Sequence, residues 1–310
     1  PKLASMSFLL RRSISLIRAL AHQRNRFEAL APAGASVVSR AGRILAACML
    51  AGTFALSAPA AAFAEVLESD EIGNKTVAAR GLSADACPDI EAMHAMLVGS
   101  DGTVYFSRDV NAEVKIASLT KIMTAVVALE NAPLDLTVTV DNEAATVGES
   151  SAGLLEGDTM SLETALYALM VPSGNDAGIA IAKSVGAHMS GDASTGYDTF
   201  VAAMNAKAAD LGMSHSVYTN PHGLDFDAFG DENLHSSARD VATLVSYAMQ
   251  NDTFRGIVDA GSTTITVASS DGTALNVALQ TTDELMGVYD GICGVKTGTT
   301  DDAGYCFAGA

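Results

Sequence analysis

Strand signals at both ends of the chain, with a helical middle between them, constrain its fold most. Two Asp-Gly dipeptides, which favour hairpin turns, mark four strands: Asp101-Gly102 joins 95–99 to 103–107, and Asp271-Gly272 joins 263–268 to 274–279. A third hairpin is predicted over 293–298 and 304–310. Between the first two hairpins, apolar residues recur at helical spacing in five segments: 118–131, 161–171, 176–185, 197–211 and 237–250. This order predicts an α+β fold, with helices packed against an antiparallel sheet and a helical subdomain.

The first 64 residues have the character of a targeting segment. They carry eight of the 18 basic residues but only one of the 36 acidic residues, and the basic part ends at Arg43. An uncharged run follows and ends in Ala62-Phe63-Ala64, a small-x-small pattern typical of cleavage sites. We therefore predict a signal peptide over 1–64 and export of the remainder. Because the uncharged run has 21 residues, an uncleaved N-terminal signal anchor is the alternative.

The rest of the chain is strongly acidic, which excludes some classes of partner. Residues 65–310 keep 10 basic and 35 acidic residues, a formal charge of −25. Such a domain repels nucleic acid and anionic lipid, so neither is expected as a partner. It also holds three cysteines, Cys87, Cys293 and Cys306. Outside the cytosol, Cys293 and Cys306 could form a disulfide across the third hairpin, or both could be free buried thiols.

The first of three short signatures is Ser118-Leu119-Thr120-Lys121. At i and i+3 of a helix, Ser118 and Lys121 share one face, and the helix start favours developing negative charge on the serine. A serine hydroxyl becomes an effective nucleophile when a neighbouring base takes its proton. Lys121 can be that base only if burial and a second cation, such as Lys296, lower its pKa from about 10.4 to about 7.

The second signature is Ser173-Gly174-Asn175, on a predicted sharp turn between two helices. It follows Pro172, which ends the preceding helix. Gly174 lets the turn tighten. Ser173 could relay a proton to a leaving group, and Asn175 could form a hydrogen bond with a substrate amide.

The third signature is Lys296-Thr297-Gly298, predicted to close a strand that begins near residue 293. Lys296 would supply positive charge, Thr297 a hydroxyl, and Gly298 room for a substrate backbone beside the strand edge. The backbone N–H of Thr299 could join that of Ser118 to form an oxyanion hole.

Each signature also has a structural interpretation without chemistry. The first would be a capping serine followed by a surface lysine, the second a polar helix–helix turn, and the third a hairpin end with an exposed lysine. Each pattern occurs once, and the ordered trio is improbable as a chance combination. Together the three signatures predict acyl transfer on a substrate that ends in a carboxylate.

Longer segments around the signatures resemble the serine-type D-alanyl-D-alanine carboxypeptidases, which are low-molecular-mass penicillin-binding proteins among the penicillin-recognising serine enzymes. The resemblance runs from about residue 96 to 310 and is carried by five segments: 116–124, 169–177, 220–225, 235–240 and 294–305. It implies a β-lactamase/transpeptidase-like fold over 93–310, with an antiparallel sheet, packed helices and an all-helical subdomain. Residues 65–92 would be a lead-in.

The resemblance also implies a reaction and a location. Ser118 would form an acyl-enzyme with the penultimate D-alanine of a peptidoglycan stem peptide, the terminal D-alanine would leave, and water would hydrolyse the ester. Lys121 would be the base, Ser173 the proton relay and Lys296 the partner of the terminal carboxylate. Asn175, Thr297 and Gly298 would bind the substrate. β-Lactam antibiotics would acylate the same serine, and the enzyme would work outside the cytoplasm, in the cell envelope.

The end of the sequence carries a further expectation. In the family, a strand that follows the third hairpin lies between that hairpin and the N-terminal strands. This sequence stops at Ala310, in the second strand of the hairpin. We therefore expect a C-terminally truncated catalytic domain that folds poorly alone, because two inner sheet edges would be unpaired. A missing C-terminal anchor, or the N-terminal segment, would be the route to any membrane association.

Two other functions share this outline. A class A β-lactamase would usually carry Asp in place of Gly174, and it needs a carboxylate to activate the deacylating water, for which no matching segment is found. A non-catalytic β-lactam sensor domain would keep the same trio but stay acylated. Release of D-alanine from a pentapeptide separates a carboxypeptidase from both.

No cofactor and no metal are expected. The sequence lacks the CxxC and HExxH patterns of common zinc sites. Acidic and histidine ligand types do cluster in one region, which includes Asp225, Asp227, Asp231 and Glu232 with His222 and His235. A solvated loop is the favoured interpretation of this region.

Overall fold

The computed structural model describes residues 69–83, 88, 90–225 and 233–310. The predicted signal peptide or anchor, Cys87, and Asp227, Asp231 and Glu232 of the acidic loop lie outside these residues. The description below concerns the unit Ala64–Ala310. Across its described residues, no helix is both long enough and apolar enough to cross a membrane.

The described elements follow the predicted order of strands, helices and strands, and the fold is α+β. In chain order they are β1 (Glu71–Ile72), α1 (Val77–Arg80), β2 (Ala95–Val98), β3 (Val104–Arg108), a 3₁₀ turn (Ala117–Leu119), α2 (Thr120–Asn131), β4 (Thr137–Thr139), α3 (Asn142–Thr146), β5 (Thr159–Ser161), α4 (Leu162–Met170), α5 (Asn175–Ser190), α6 (Gly196–Asp210), α7 (Ala238–Ala248), α8 (Asp252–Val258), β6 (Thr263–Ala268), β7 (Ala274–Leu279), β8 (Val295–Thr300) and β9 (Gly304–Gly309).

The strands pair in antiparallel fashion. The described residues form three sheets, with the strand orders β1-β3-β2, β4-β5-β6-β7 and β8-β9. Helix α7 packs against both the β1-β3-β2 sheet and the β8-β9 hairpin. No strand-to-strand hydrogen bonds join those two sheets within the part of the chain that the structure describes.

The first two hairpins are confirmed, and their turns show why. Gly102 and Gly272 have φ angles of 81° and 82°, which glycine adopts at little cost. The carboxylates of Asp101 and Asp271 accept hydrogen bonds from the backbone N–H two residues further on, at 2.9 and 2.8 Å. The aspartate closes the turn and the glycine supplies the left-handed conformation.

The third hairpin differs from its predicted bounds. Strand β8 begins at Val295, so Lys296-Thr297-Gly298 lies inside the strand and does not close it. The physical reason is Gly294, whose φ of 100° is incompatible with a continuous extended strand from residue 293. The third signature therefore lies on a regular strand with a fixed alternation of side chains.

The hydrophobic core surrounds α2. Nine of its residues are buried, and it packs against α4, α5, α6 and α7. The helix after Ser161 is confirmed, since the Ser161 hydroxyl accepts the N–H of Thr164 at 3.2 Å, and α4 ends at Met170, before Pro172. A polar side chain in the first turn of α2 is therefore enclosed by protein on nearly every side.

Candidate active site

Ser118 lies in the 3₁₀ turn that leads into α2, and a strained residue precedes it. Ala117 is fully buried and has a φ of 46°, a left-handed conformation that costs a non-glycine residue about 1–2 kcal/mol. Strand β8 packs against this turn at Gly298. A Cβ atom at Gly298 would lie 3.0 Å from the Ser118 nitrogen and 3.2 Å from the Ala117 Cβ. The lack of a side chain at Gly298 therefore allows β8 to pack closely against the turn Ala117–Leu119, which is called the nucleophile turn below.

Lys121 is fully buried and makes three short hydrogen bonds. Its Nζ lies 2.8 Å from Ser118 Oγ, 2.7 Å from Asn175 Oδ1 and 2.9 Å from the carbonyl oxygen of His222. The interpretation of the first signature as a helix cap with a surface lysine is therefore wrong.

The partners of Lys121 determine what it can do when neutral. Asn175 Oδ1 and the His222 carbonyl can only accept hydrogen bonds, whereas a serine hydroxyl can donate. A neutral amine has two N–H groups, which would point at the two obligate acceptors. Its lone pair would then face Ser118 Oγ, the geometry of a general base.

The electrostatics favour the neutral amine. Burial holds the pKa of Lys121 well below its ordinary value, and the positive charge of Lys296 lowers it further, while Asp176 opposes the change. The sequence predicted both causes, and a positive charge on Lys296 acts on the pKa of Lys121 in the predicted direction.

The second signature forms the turn between α4 and α5. Ser173 is buried with a φ of 65°, and its hydroxyl makes no hydrogen bond within the described residues. A Cβ atom at Gly174 would lie 2.5 Å from Asp176 Oδ1 and 2.7 Å from the Ala168 carbonyl oxygen. This position therefore excludes larger residues, including the aspartate typical of class A β-lactamases.

Asn175 serves the protein's own structure as well as Lys121. Its Nδ2 donates to the Gly148 carbonyl at 3.1 Å, and its backbone N–H donates to the Ser150 carbonyl at 2.8 Å. The amide thus connects Lys121 to the loop 148–154. Its predicted contact with a substrate amide could use the second N–H of Nδ2 or the second lone pair of Oδ1.

Asp176 fixes the same loop and was missed by the sequence analysis. Its buried carboxylate accepts hydrogen bonds from Ser151 Oγ at 2.6 Å, Ala152 N at 3.0 Å and Leu154 N at 3.1 Å. The only signal in the sequence is an acidic residue in the first turn of a helix, which is common and unspecific.

A second buried loop, 220–225, supports the nucleophile turn from the other side. The Pro221 carbonyl accepts the Thr124 hydroxyl at 2.7 Å, next to the His222 carbonyl that binds Lys121. At Gly223, which has a φ of 91°, a Cβ atom would lie 1.9 Å from the Ala117 carbonyl oxygen. The loop backbone is therefore packed directly on the turn that carries Ser118.

The prediction of a solvated loop is wrong for His222 and Asp225. Both are buried, and Asp225 accepts the Thr300 hydroxyl at 2.8 Å. Burial lowers the pKa of His222 to about 3, so the imidazole is neutral near pH 7. The described residues contain no group of three ligands suited to a metal ion. The loop supports the site through its backbone instead.

Lys296 is buried, so the third signature is not a hairpin end with an exposed lysine. Its Nζ donates to the Thr297 carbonyl at 2.8 Å. Burial lowers its pKa to about 7, and Asp283 opposes the change. The hydroxyls of Thr297 and Thr282 form a hydrogen bond at 2.6 Å, and Thr299 follows Gly298 beside the nucleophile turn.

The fold brings most of the predicted residues together. Ser118, Lys121 and Asn175 are hydrogen-bonded, Gly298 packs on the nucleophile turn, and Lys296 acts on Lys121 through its charge. Cys293 and Cys306 are free thiols, as in the second of the two interpretations, but both are half-buried and not fully buried. Cys306 pairs with Gly298 in the strand register, whereas Cys293 precedes β8.

A serine next to a buried lysine base, with an amide and a second lysine, defines a serine hydrolase that works by acyl transfer. Comparison with known proteins identifies the family within this class. A model of the D-alanyl-D-alanine carboxypeptidase family matches residues 81–310. The chain belongs to the D-alanyl-D-alanine carboxypeptidase family, as the sequence resemblance indicated.

Relatives and solved structures agree with this assignment. A D-alanyl-D-alanine carboxypeptidase of Streptomyces sp. (strain K15) is 32% identical over 240 residues, covering 74% of this chain and 80% of that protein. DacB2 of Mycobacterium tuberculosis is 35% identical over 209 residues, covering 67% and 66%. The crystal structure of the Streptomyces K15 DD-transpeptidase matches with a TM-score of 0.67 and 30% identity, over 72% of this chain and 86% of that one. The transpeptidase-like fold is therefore confirmed.

Proposed function

We propose that this protein removes the terminal D-alanine from peptidoglycan stem peptides through an acyl-enzyme on Ser118. One observation carries the proposal: Lys121 Nζ lies 2.8 Å from Ser118 Oγ, and the other two hydrogen bonds of this lysine go to obligate acceptors. A lone pair directed at the serine is what proton abstraction requires. Family membership supplies the substrate class.

In the acylation step, Ser118 Oγ attacks the carbonyl carbon of the penultimate D-alanine while its proton moves to Lys121. The N–H groups of Ser118 and Thr299 would hold the oxyanion, because β8 passes directly against the nucleophile turn. The peptide C–N bond then breaks, and Ser173 relays the proton held by Lys121 to the departing amine of the terminal D-alanine, which leaves Lys121 neutral again. Because the Ser173 hydroxyl has no hydrogen-bond partner among the described residues, it would be available for this relay.

Substrate binding would use the edge of β8. The ammonium of Lys296 and the hydroxyl of Thr297 would bind the terminal carboxylate, with Gly298 and Asn175 beside the peptide. Water would then attack the ester, with Lys121 again accepting a proton, and would regenerate Ser118. A β-lactam would acylate the same serine, but its broken amide stays tethered, which slows hydrolysis.

The protein would act outside the cytoplasm. The proposal rests on the signal-peptide pattern of residues 1–64 and on the substrate, which belongs to the cell envelope. Sequencing the N-terminus of the exported protein tests it: a start at Glu65 supports cleavage after Ala64, whereas retention of the leader indicates an anchor and membrane association.

Release of D-alanine from a pentapeptide by the full-length protein tests the function directly. A carboxypeptidase releases stoichiometric and then catalytic D-alanine. A β-lactam sensor would be acylated by penicillin without releasing D-alanine, and a β-lactamase would turn over penicillin instead. Either of these outcomes would overturn the proposal. The small space at Gly174 already argues against the class A enzyme.

A further inference from the structure

The segment 281–285 connects the second and third signatures. The backbone N–H of Thr282 donates to the Val171 carbonyl at 3.2 Å, two residues before Ser173. The Thr282 hydroxyl forms the 2.6 Å hydrogen bond with the Thr297 hydroxyl on β8. The segment is therefore attached on both sides, and the residue that follows Thr282 has a fixed position.

That residue, Asp283, has a buried carboxylate that is only partly satisfied. Oδ1 accepts the Leu285 N–H at 2.9 Å, and the Asp283 N–H donates to Thr281 Oγ1 at 3.2 Å. Oδ2 is buried and has no hydrogen-bond partner among the described residues. A buried carboxylate oxygen in this state needs a positive charge nearby to offset its loss of hydration.

The positive charge that shares a cavity with Asp283 is that of Lys296. Both side chains line one small cavity of about 10 Å³, bounded by the end of α4, segment 281–283 and the start of β8. Among the described residues that line it, Asp283 is the one acid and Lys296 the one base. A cavity of this size holds about one water molecule, so no part of a substrate fits there. The carboxylate therefore acts on the protein's own lysine.

We propose that Asp283 is the buried counter-ion of Lys296, a positioning residue that keeps this lysine protonated without touching the substrate. The inference rests on the proposed function, in which a cationic Lys296 binds the terminal carboxylate of the stem peptide. It would resolve a conflict within the site, because Lys121 must be neutral while Lys296, equally buried and close by, must be charged.

Different charged groups act on Lys296 and on Lys121. Burial lowers the pKa of Lys296 to about 7, and Asp283 is the group that opposes the change. Lys121 on α2 is affected by Lys296 and by Asp176 on α5. His222, on the loop 220–225, is neutral near pH 7, and Asp225 is bonded to Thr300 at the far end of β8. Asp283 is thus placed to act selectively on Lys296.

The test is the substitution Asp283→Asn, which keeps the shape of the side chain and removes its charge. The pH profile of kcat/KM for D-alanine release reports the free-enzyme ionisations. Loss of a nearby opposite charge should lower the pKa of Lys296 by about 1. We expect the alkaline limb of the profile to move down by about one pH unit, with kcat/KM about tenfold lower above pH 7.

A substrate with an amidated C-terminus separates this role from a structural one. Such a substrate has no carboxylate for Lys296 to bind, so Asp283→Asn should impair its turnover much less than that of the free acid. Glu284→Gln is the matched control, since Glu284 is the exposed neighbour and loses the same charge. Its profile should match the wild type.

The inference is overturned if Asp283→Asn, with a normal thermal melt, keeps the wild-type alkaline limb, or if both substrates are impaired equally. Failure of the proposed function gives a different result, because the wild type would then release no D-alanine at any pH. In that case the rate of acylation by fluorescent penicillin, which also carries a carboxylate, gives the same comparison of pH profiles.

Discussion

At the scale of single residues, the proposed mechanism requires two buried lysines in different protonation states. Lys121 has a carbonyl and an amide oxygen as fixed acceptors, so its remaining contact with Ser118 is the one that can change during reaction. Lys296 has a carbonyl acceptor and a nearby carboxylate. Similar burial therefore leads to different chemistry because the partners differ.

Replacing Lys121 with arginine tests the base. A guanidinium stays protonated at every accessible pH, so it cannot accept the Ser118 proton. We expect Lys121→Arg to lower the rate of acylation by fluorescent penicillin by at least about 100-fold, the lower end of general-base contributions. Acylation at the wild-type rate by a variant of normal melting temperature would rule out Lys121 as the base.

The pKa of Lys296 also predicts how stability depends on pH. Because the folded-state pKa is about 7 and the unfolded value about 10.5, the unfolded chain binds more protons between these limits. The free energy of unfolding should therefore rise from pH 7 to pH 10, relative to Lys296→Met, by about 3–4 kcal/mol. Denaturant unfolding of both proteins at the two pH values measures this. A flat or falling difference would contradict the low pKa.

At the scale of elements, the loop 220–225 holds the nucleophile turn through its backbone. Gly223→Ala places a Cβ atom 1.9 Å from the Ala117 carbonyl, so the loop must move and the hydrogen bond from Lys121 to the His222 carbonyl must lengthen. We expect lower thermal stability together with slower acylation by penicillin.

Gly272→Ala is the matched control for this substitution. Gly272 has a similar φ of 82°, but a Cβ atom there meets nothing within 4 Å. The control should lose about 1 kcal/mol of stability from the strained backbone alone and keep the wild-type acylation rate. Equal effects of the two substitutions on acylation would contradict the role of the loop.

The sequence predicted the elements that depend on local patterns. The Asp-Gly hairpins, the Ser161 cap and the five helices are all present, because turn chemistry and apolar periodicity act over a few residues. The predicted start of β8 was wrong, because Gly294 adopts a left-handed conformation where it packs against Val258. Local patterns do not record such contacts.

The site was predictable only in part for the same reason. Ser118, Lys121 and Lys296 could be found because their side-chain types are distinctive. The His222 carbonyl, 101 residues from Lys121, could not, because any residue supplies a carbonyl. Asp176 and Asp283 were hidden because a single acid gives no signal until the fold shows what surrounds it.

At the scale of the whole molecule, one buried amine joins three distant parts of the chain. The hydrogen bonds of Lys121 connect α2 to the start of α5, 54 residues away, and to the loop 220–225. Strand β8 closes the site from a fourth direction at Gly298. The catalytic geometry therefore forms only when the helical middle and the C-terminal hairpin pack together.

Locating the covalent adduct tests this account most directly. The full-length protein is treated with penicillin, and the modified peptide is identified by mass spectrometry in the wild type and in Ser118→Ala. We predict one adduct per chain, on Ser118, with no adduct in the variant. An adduct on Ser173 or on any other residue, or D-alanine release by Ser118→Ala at the wild-type rate, would contradict the assignment of Ser118 as the nucleophile.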